Sequence, residues 1–488
     1  MFPRGWYVVG SVSDVAAGEV KTVHYFGQDI VLFRTESGVL SAVDRTCPHL
    51  GAHLGVGHVK GECLRCPFHD WAFAPDGRCV EVPYAPKIPP KAQVKTWPMR
   101  ERNGLIFVYY CPRGEAPTWE IPEIDLEGWT PNRVVRWEVR SHPQEVAENT
   151  VDCSHLRPVH HVISTEVVSV AMDAHVMHVV LNMVATGAPI EMPDEINDVE
   201  LDVTLHGLGQ IISRTHVKTS DLRTMQRIHS TPIDDENIAI FGVGNTKEMK
   251  DPGYTREIDD VFWQAFNVDF PKDFPIWSTK AYIERPLLVP GDGPIGRYRR
   301  WCRQFYDVPA EAAAPRAEAA APRPAIVRLT QWIKRLAAGP QAPAAGEQEV
   351  DEHLAGERRP PAPKAAPAAP QQRFPSVSAY FESLESRFDP KAAGDLDAVF
   401  QWVLTGGDAR ADSPRAYFAR IKGGSIQAAA GTHEAPTVTI EMSAEDYLLM
   451  INGELNGARA FSTGRGRLRG PVRLAMKMQK LFPLDRAV

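Results

Sequence analysis

Apolar residues alternate or cluster in short runs through Trp6–Val9, Lys21–Phe26, Ile30–Arg34, Val39–Asp44 and Leu105–Tyr110, with glycines at 10, 27, 38 and 104 as punctuation. Short runs bounded by turn formers predict strands, so residues 1–115 read as a small all-β unit. Residues 116–306 carry the same two-residue period in His175–Val184, Asp198–Leu205 and Gly209–Val217, followed by Asn237–Val243. That pattern predicts an antiparallel sheet, half-buried, with helices on one face. From 307 to 370 Ala and Pro dominate, the mark of an extended linker. One island interrupts it, Ala325–Leu336, where Ile326, Leu329, Ile333 and Leu336 share a helical face that would dock on a neighbouring domain or lie on a membrane surface. Residues 371–488 form a further unit: Val438–Met442 alternates as a strand, Ser443 and Asp446 open an apolar helix as a capping pair, and Val472–Phe482 reads as a last helix. The fold class is multidomain α+β.

Composition narrows the setting. The chain has 488 residues, 43% of them hydrophobic, and a net charge of −7, so it offers no basic surface for nucleic acid. No apolar run approaches the roughly 20 residues of a membrane span, and the N-terminus enters a strand at once, without a signal peptide's apolar core. Seven cysteines, several near histidines, point to metal ligation in a reducing cytoplasm rather than disulfides. A flexible tether of this length spans roughly 45 Å, which predicts a C-terminal unit kept close without a fixed pose.

Two constellations carry chemistry. Cys47-Pro-His49 and Cys66-Pro-Phe-His69 are mixed Cys/His pairs in the β-rich unit. A Rieske [2Fe–2S] centre takes two thiolates on one iron and two imidazoles on the other. Zinc is the alternative, but zinc sites of this size usually pair like ligands. Cys63 makes a C-x-x-C with Cys66, without the βαβ context a redox motif requires. The second constellation is Glu148-Asn-Thr-Val-Asp152-Cys-Ser-His155-Leu-Arg-Pro-Val-His160-His161. Asp152 and His155, three apart, share a face if helical, and Pro158 would end or kink that helix so that the second imidazole swings back. Two imidazoles and a carboxylate make the facial triad of non-haem Fe(II) oxygenases. Asp259, Asp260, Asp269 and Asp273, in a helical-looking segment rich in Phe and Trp, are the candidate carboxylates. The bland alternative is a polar helix end with ordinary histidines. Gly291-Asp-Gly293-Pro-Ile-Gly296 fits a dinucleotide fingerprint, yet Pro294 deletes a needed donor and no βαβ unit follows. Electrons must therefore come from a separate reductase.

Cys47-Pro-His-Leu-Gly-Ala-His-Leu-Gly through Cys66-Pro-Phe-His-Asp-Trp-Ala-Phe73 resembles the cluster loops of Rieske non-haem iron oxygenases, and N-x-x-D-x-x-H-x₄-H, on Asn149, Asp152, His155 and His160, resembles their iron motif. Asp273-Phe-Pro-Ile-Trp277 and Gly293–Tyr306 resemble the steroid-acting branch, with its 3-ketosteroid 9α-hydroxylases and cholesterol 7-desaturases. Tyr447–Gly453, Gly464–Gly470 and Leu474–Phe482 resemble the sterol carrier protein type-2 domain. The resemblance implies a Rieske domain over 1–115, a helix-grip (START-like) catalytic domain over 116–306, the linker over 307–370, and an α/β lipid-binding domain over 371–488. It implies cluster ligands Cys47, His49, Cys66 and His69, and iron ligands His155, His160 (or His161, one position on) and Asp273. It implies catalytic roles for Asn149 and Asp152, the latter bridging to a cluster histidine of a neighbouring subunit in a homotrimer. NAD(P)H electrons would arrive through a flavin/iron–sulfur reductase, and the implied reaction is monooxygenation of a sterol or steroid. The expected location is the cytoplasm, peripheral to a membrane if the island binds lipid. The favoured position is a sterol C-4 methyl, since an intact sterol needs a carrier more than a polar ketone does; ring hydroxylation, desaturation, and a lipid-binding electron carrier with a vestigial iron site are the alternatives.

Overall fold

The structure, a computed structural model, describes residues 1–160, 162–187, 192–306, 374–406 and 416–483. His161, the linker and the island Ala325–Leu336 lie outside the described residues. The first unit is all-β. Gly5–Ser11, Leu105–Tyr110 and Met99–Arg102 form one antiparallel sheet, Val20–Tyr25, Gln28–Arg34 and Leu40–Asp44 a second, and four short strands from His58 to Glu81 a third. The predicted strands are all present here.

A seven-stranded antiparallel sheet follows, in the order Arg133–Arg140, Asn237–Thr246, Leu222–Pro232, Gln210–Val217, Met192–His206, Val176–Gly187, Val162–Asp173. The sequence predicts four of these seven. Leu222–Pro232, in the middle of the sheet, is missed because many of its buried residues are polar, among them Thr224, Arg227, His229 and Thr231. Val162–Asp173 is missed because it is largely exposed on both faces, and Arg133–Arg140 is missed although Val135, Trp137 and Val139 alternate with Arg136, Glu138 and Arg140. The long helix α3 (Pro252–Asp269) lies on Asn237–Thr246. Two strand glycines allow the close approach: a Cβ at Gly242 would meet the Phe266 and Trp137 rings at 2.8 Å, and one at Gly244 the Trp263 ring at 2.8 Å. Phe266, Phe270 and Phe274, four apart and therefore on one side, all pack against Trp137, with ring centroids 5.6–5.8 Å away.

The first two units share one core, in which Trp6 and Phe107 pack with Leu205 and Ile240. At their seam Arg227 is buried and donates to Asn103 O (3.3 Å), Asn132 Oδ1 (2.5 Å) and Asn245 Oδ1 (2.8 Å), all neutral acceptors. Burial pulls this guanidinium down to about 10.

The C-terminal unit is a five-stranded sheet in the order Ser425–Ala430, Ala416–Lys422, Ala398–Thr405, Val438–Ser443, Gly466–Arg469, with one parallel pair at its centre. Ser443 caps the next helix as predicted, its Oγ accepting from Asp446 N at 3.0 Å. The last helix is broken: Val472–Met476 and Met478–Leu481 are separate, because Lys477 N bonds Leu474 O three residues back and tightens the turn. The linker's composition predicted a carrier without a fixed pose, whereas here the unit rests on α3. Tyr254, Ile258 and Leu222 join its core, Tyr254 lies 5.8 Å from the Phe461 ring, Ser462 Oγ donates to Ser220 O at 2.7 Å, and Val472 N donates to Glu257. A flexible tether limits reach but does not prevent apolar surfaces from meeting. Among the described residues no helix is long and apolar enough to cross a membrane.

Arg227→Ala removes a large buried side chain and leaves the buried Asn245 Oδ1 without its donor, while Asn103 O and Asn132 Oδ1 keep a second one; we expect a loss on the order of 3 kcal/mol. Urea unfolding checks this; an unchanged midpoint would mean that the seam is held by its apolar core alone.

Candidate metal centres

Cys47 and Cys66 each open a short loop of the same design. Gly51 N donates back to Cys47 O (3.0 Å) and Asp70 N to Cys66 O (3.1 Å), each loop turning at a left-handed residue, Gly51 at φ +78° and Asp70 at φ +56°. This brings the tips together: the His49 and His69 rings are 4.6 Å apart, and His49 stacks on Trp71, whose Nε1 donates to Tyr84 Oη at 2.9 Å. Both cysteines are buried, and burial pushes the Cys47 thiol up to about 11, with Cys66 beside it adding to the effect. A thiolate there needs a cation for company. His49 Nδ1 is buried with no hydrogen-bond partner, an orphan of the kind that a bound group would satisfy. Two buried thiols and two converging imidazoles fit a [2Fe–2S] cluster of mixed ligation. Cys63, in the neighbouring strand Cys63–Arg65, is a free thiol, as is Cys66.

The second site is built from two distant segments. Helix α1 (Pro143–Glu148) is fixed from behind by buried charges that the sequence reading missed. Arg299 grips both oxygens of Glu148 (2.6 and 2.9 Å), and Lys280 reaches Glu145 at 2.6 Å. Burial raises Glu145, and Lys280 offsets part of that. Tyr298 and Tyr306 bond Gln144 on the same helix. Arg299 and Tyr306 fall inside the stretch Gly293–Tyr306, so the signal was present without a partner to attach it to.

Asp152 and His155 were expected on one helix, with Pro158 ending it. They lie instead in the loop between α1 and α2 (Leu156–His160), and Pro158 sits in the first turn of α2, where a missing N–H costs nothing. The Asp152 carboxylate accepts from Ser154 Oγ (2.9 Å) and His155 N (3.4 Å), while its main-chain carbonyl takes His155 Nδ1 at 2.5 Å. Asn149 stands by His155 Nε2 (3.5 Å) and accepts from Trp277 Nε1 (3.3 Å). The loop is pressed from above by Gly293, at φ +87°, where a Cβ would come within 1.9 Å of Val151 O. That is the work of Gly293 in the false dinucleotide fingerprint.

The carboxylates arrive on the tail of α3. Helix α3 ends at Asp269, a 3₁₀ turn Phe270–Asp273 follows, and α4 (Phe274–Thr279) continues. The ligand atoms of His155, His160 and Asp273 all lie within 4.8 Å of one another, and Asp273 is buried. His160 stands between two acids, Nε2 3.2 Å from Asp273 and Nδ1 2.9 Å from Asp269. Burial opposes charge on His160, but the two carboxylates outweigh it and lift it to about 9; burial, with His160 adding to it, pulls His155 down, against Asp273 and Asp152. A cation in the middle would replace that proton, so the donor set fits a divalent iron. Of the other two candidates, Asp259 and Asp260 pair with Arg133. The two centres sit in different hydrophobic cores, Cys47 and Cys66 in one and Val151 and Trp277 in another.

Comparison with known proteins agrees with this geometry. Residues 5–98 match the Rieske [2Fe-2S] domain, 108–306 the 3-ketosteroid 9alpha-hydroxylase C-terminal domain, and 381–483 the SCP-2 sterol transfer family. A probable 3-ketosteroid-9-alpha-monooxygenase oxygenase component from Rhodococcus rhodochrous is 33% identical over 320 residues, 62% of this chain and 80% of that protein. A cholesterol 7-desaturase from Caenorhabditis elegans is 32% identical over 351 residues, 63% of this chain and 77% of that protein. In fold, residues spanning 62% of the chain superpose on 96% of dicamba monooxygenase bound to dicamba, with a TM-score of 0.52 at 20% identity. The chain belongs to the Rieske non-haem iron monooxygenase family, with a Rieske [2Fe–2S] cluster and a mononuclear iron as its cofactors and an SCP-2 domain at its C-terminal end.

Proposed function

We propose that this chain is the oxygenase component of a monooxygenase that oxidises a C–H bond of a sterol or steroid, with a sterol C-4 methyl as the favoured position. The reaction balances as R–H + O₂ + 2 e⁻ + 2 H⁺ → R–OH + H₂O, the electrons coming from NAD(P)H through a separate reductase. The observation that carries this reading is the convergence of His155, His160 and Asp273 on a chain that also bears Cys/His cluster loops and an SCP-2 domain. Relatives named for 3-ketosteroid 9α-hydroxylation and cholesterol 7-desaturation support the substrate class. The carrier domain favours an intact, poorly soluble sterol within it.

Cys47 and Cys66 would hold one iron of the cluster and His49 and His69 the other; His155, His160 and Asp273 would hold the mononuclear iron. When bound, these groups supply one-electron storage and a site for O₂. The remaining work belongs to the chain. Trp277 orients Asn149 beside His155, and Gly293 and the Arg299–Glu148 pair hold the loop in place. Asp152, whose carboxylate is 29% exposed, would reach a cluster histidine of the neighbouring subunit in a homotrimer and so complete the electron path. Phe68 and Leu50, exposed at the cluster tip, suit such a contact.

Three irons per chain are expected, and mass spectrometry after incubation with a generic reductase and a panel of sterols should reveal an oxygenated product. A 9α-hydroxylated or desaturated product would move the position and keep the class. Two irons and no product would make the chain an electron carrier. Asp273→Ala should lose the mononuclear iron while the cluster keeps its EPR signal, and Asp152→Ala should keep both centres yet lose turnover. The carrier domain should matter for supply. A chain ending at Pro370 should match full length on sterol presented in cyclodextrin and fall behind on sterol in vesicles; equal rates on vesicles would remove the case for an intact sterol.

A further inference from the structure

We propose that Asp269 is a positioning residue for the metal site: it accepts the Nδ1 hydrogen of His160 and so fixes Nε2 as the nitrogen that faces the metal. The inference rests on the reading of His155, His160 and Asp273 as ligands, and it assigns a separate task to an acid that is a rival ligand by sequence.

The two acids occupy opposite nitrogens of one ring. Asp273 Oδ2 is 3.2 Å from Nε2, and Asp269 Oδ2 is 2.9 Å from Nδ1. Because the two ring nitrogens point apart, a cation shared by Nε2 and Asp273 has the imidazole between it and Asp269. The ligand atoms that converge within 4.8 Å accordingly belong to His155, His160 and Asp273 and not to Asp269. A neutral imidazole carries one N–H, and the partner of one nitrogen decides which nitrogen is free to ligate.

His155 and His160 differ in how this is arranged. His155 finds its Nδ1 partner locally, in the carbonyl of Asp152 three residues back. His160 closes a helix of five residues, too short to hold a side chain by itself, and its partner comes from 109 residues away. Asp269 suits that task. It ends the 18-residue α3, which the Gly242 and Gly244 contacts seat on the sheet, and its other oxygen is held by Lys272 Nζ at 2.7 Å. The carboxylate is thus tied on one oxygen by Lys272 and presents the other to the ring.

The test uses the full-length protein with its cluster assembled and the mononuclear site emptied, titrated anaerobically with Fe(II) against a competing chelator. Asp269→Ala should bind Fe(II) 10- to 100-fold more weakly, the usual effect of losing such a partner, and the EPR signal of its nitrosyl adduct should shift while the cluster signal does not. Asp269→Asn keeps an acceptor without the charge and should fall between; it also decides the matter if the alanine variant does not fold. Lys272→Met removes only the tie on the other oxygen and should weaken Fe(II) binding by less than Asp269→Ala does. Wild-type affinity and nitrosyl signal in both Asp269 variants would overturn the proposal. So would Lys272→Met reproducing the Asp269→Ala loss, since the pair would then be structural. Complete loss of iron in Asp269→Ala with iron retained in Asp273→Ala would overturn the ligand set itself, a failure distinct from that of the positioning role.

Discussion

The packing of three phenylalanines on one tryptophan is what the metal site depends on. Phe266, Phe270 and Phe274 each lie against Trp137 on the first strand of the seven-stranded sheet. Asp269 and Asp273 precede Phe270 and Phe274 by one residue, so once the aromatic face is committed, the acids must point to the adjacent face, where His160 waits. Gly242 and Gly244 make this possible by leaving room for the rings. A side chain at either would lift α3 and carry both carboxylates with it. The two acids are therefore aimed by aromatic contacts that never touch them.

A second constraint acts on the histidine side. Four charged groups, Glu145, Glu148, Lys280 and Arg299, are largely enclosed behind α1. Charges there are tolerable only in pairs with good geometry, which Arg299 meets with its two-point grip on Glu148. The cost of leaving any one unpaired ties α1, α5 (Ile295–Cys302) and the end of α4 into one arrangement. Gly293 adds a close backbone approach at Val151, just ahead of Asp152. The motif loop is clamped from two sides, while Asp152 keeps part of its carboxylate at the surface.

The same helix that delivers Asp269 and Asp273 receives the SCP-2 domain at its other end. Tyr254 and Ile258 belong to the SCP-2 domain's core as much as to α3, and roughly 17–23 Å of helix separates them from Asp269. The SCP-2 domain and the candidate metal site thus meet on a single helix.

Much of this was legible in the chain before folding. The two candidate metal signatures are local: Cys47/His49 and Cys66/His69 each sit in one loop, and His155 and His160 in one short stretch, so residue type and spacing single them out. Strands with one buried face announce themselves by alternation, and the linker by composition. What tertiary structure alone decided is everything that joins distant segments. Four acids in a helical-looking stretch are equivalent by spacing. Asp259 and Asp260 turn to Arg133, Asp269 to one nitrogen of His160 and Asp273 to the other, because the aromatic face of α3 fixes the helix rotation. The helix imagined through Asp152 and His155 is a loop, since α1 ends where its buried charges end and Pro158 suits a helix start. Of the edge strands, Val162–Asp173 was silent because it is exposed on both faces, and central Leu222–Pro232 because much of what it buries is polar. The carrier's seat on α3 was hidden for another reason: apolar residues such as Tyr254 and Ile258 look alike whether they face their own domain's core or another's, and only the fold says which surface they meet.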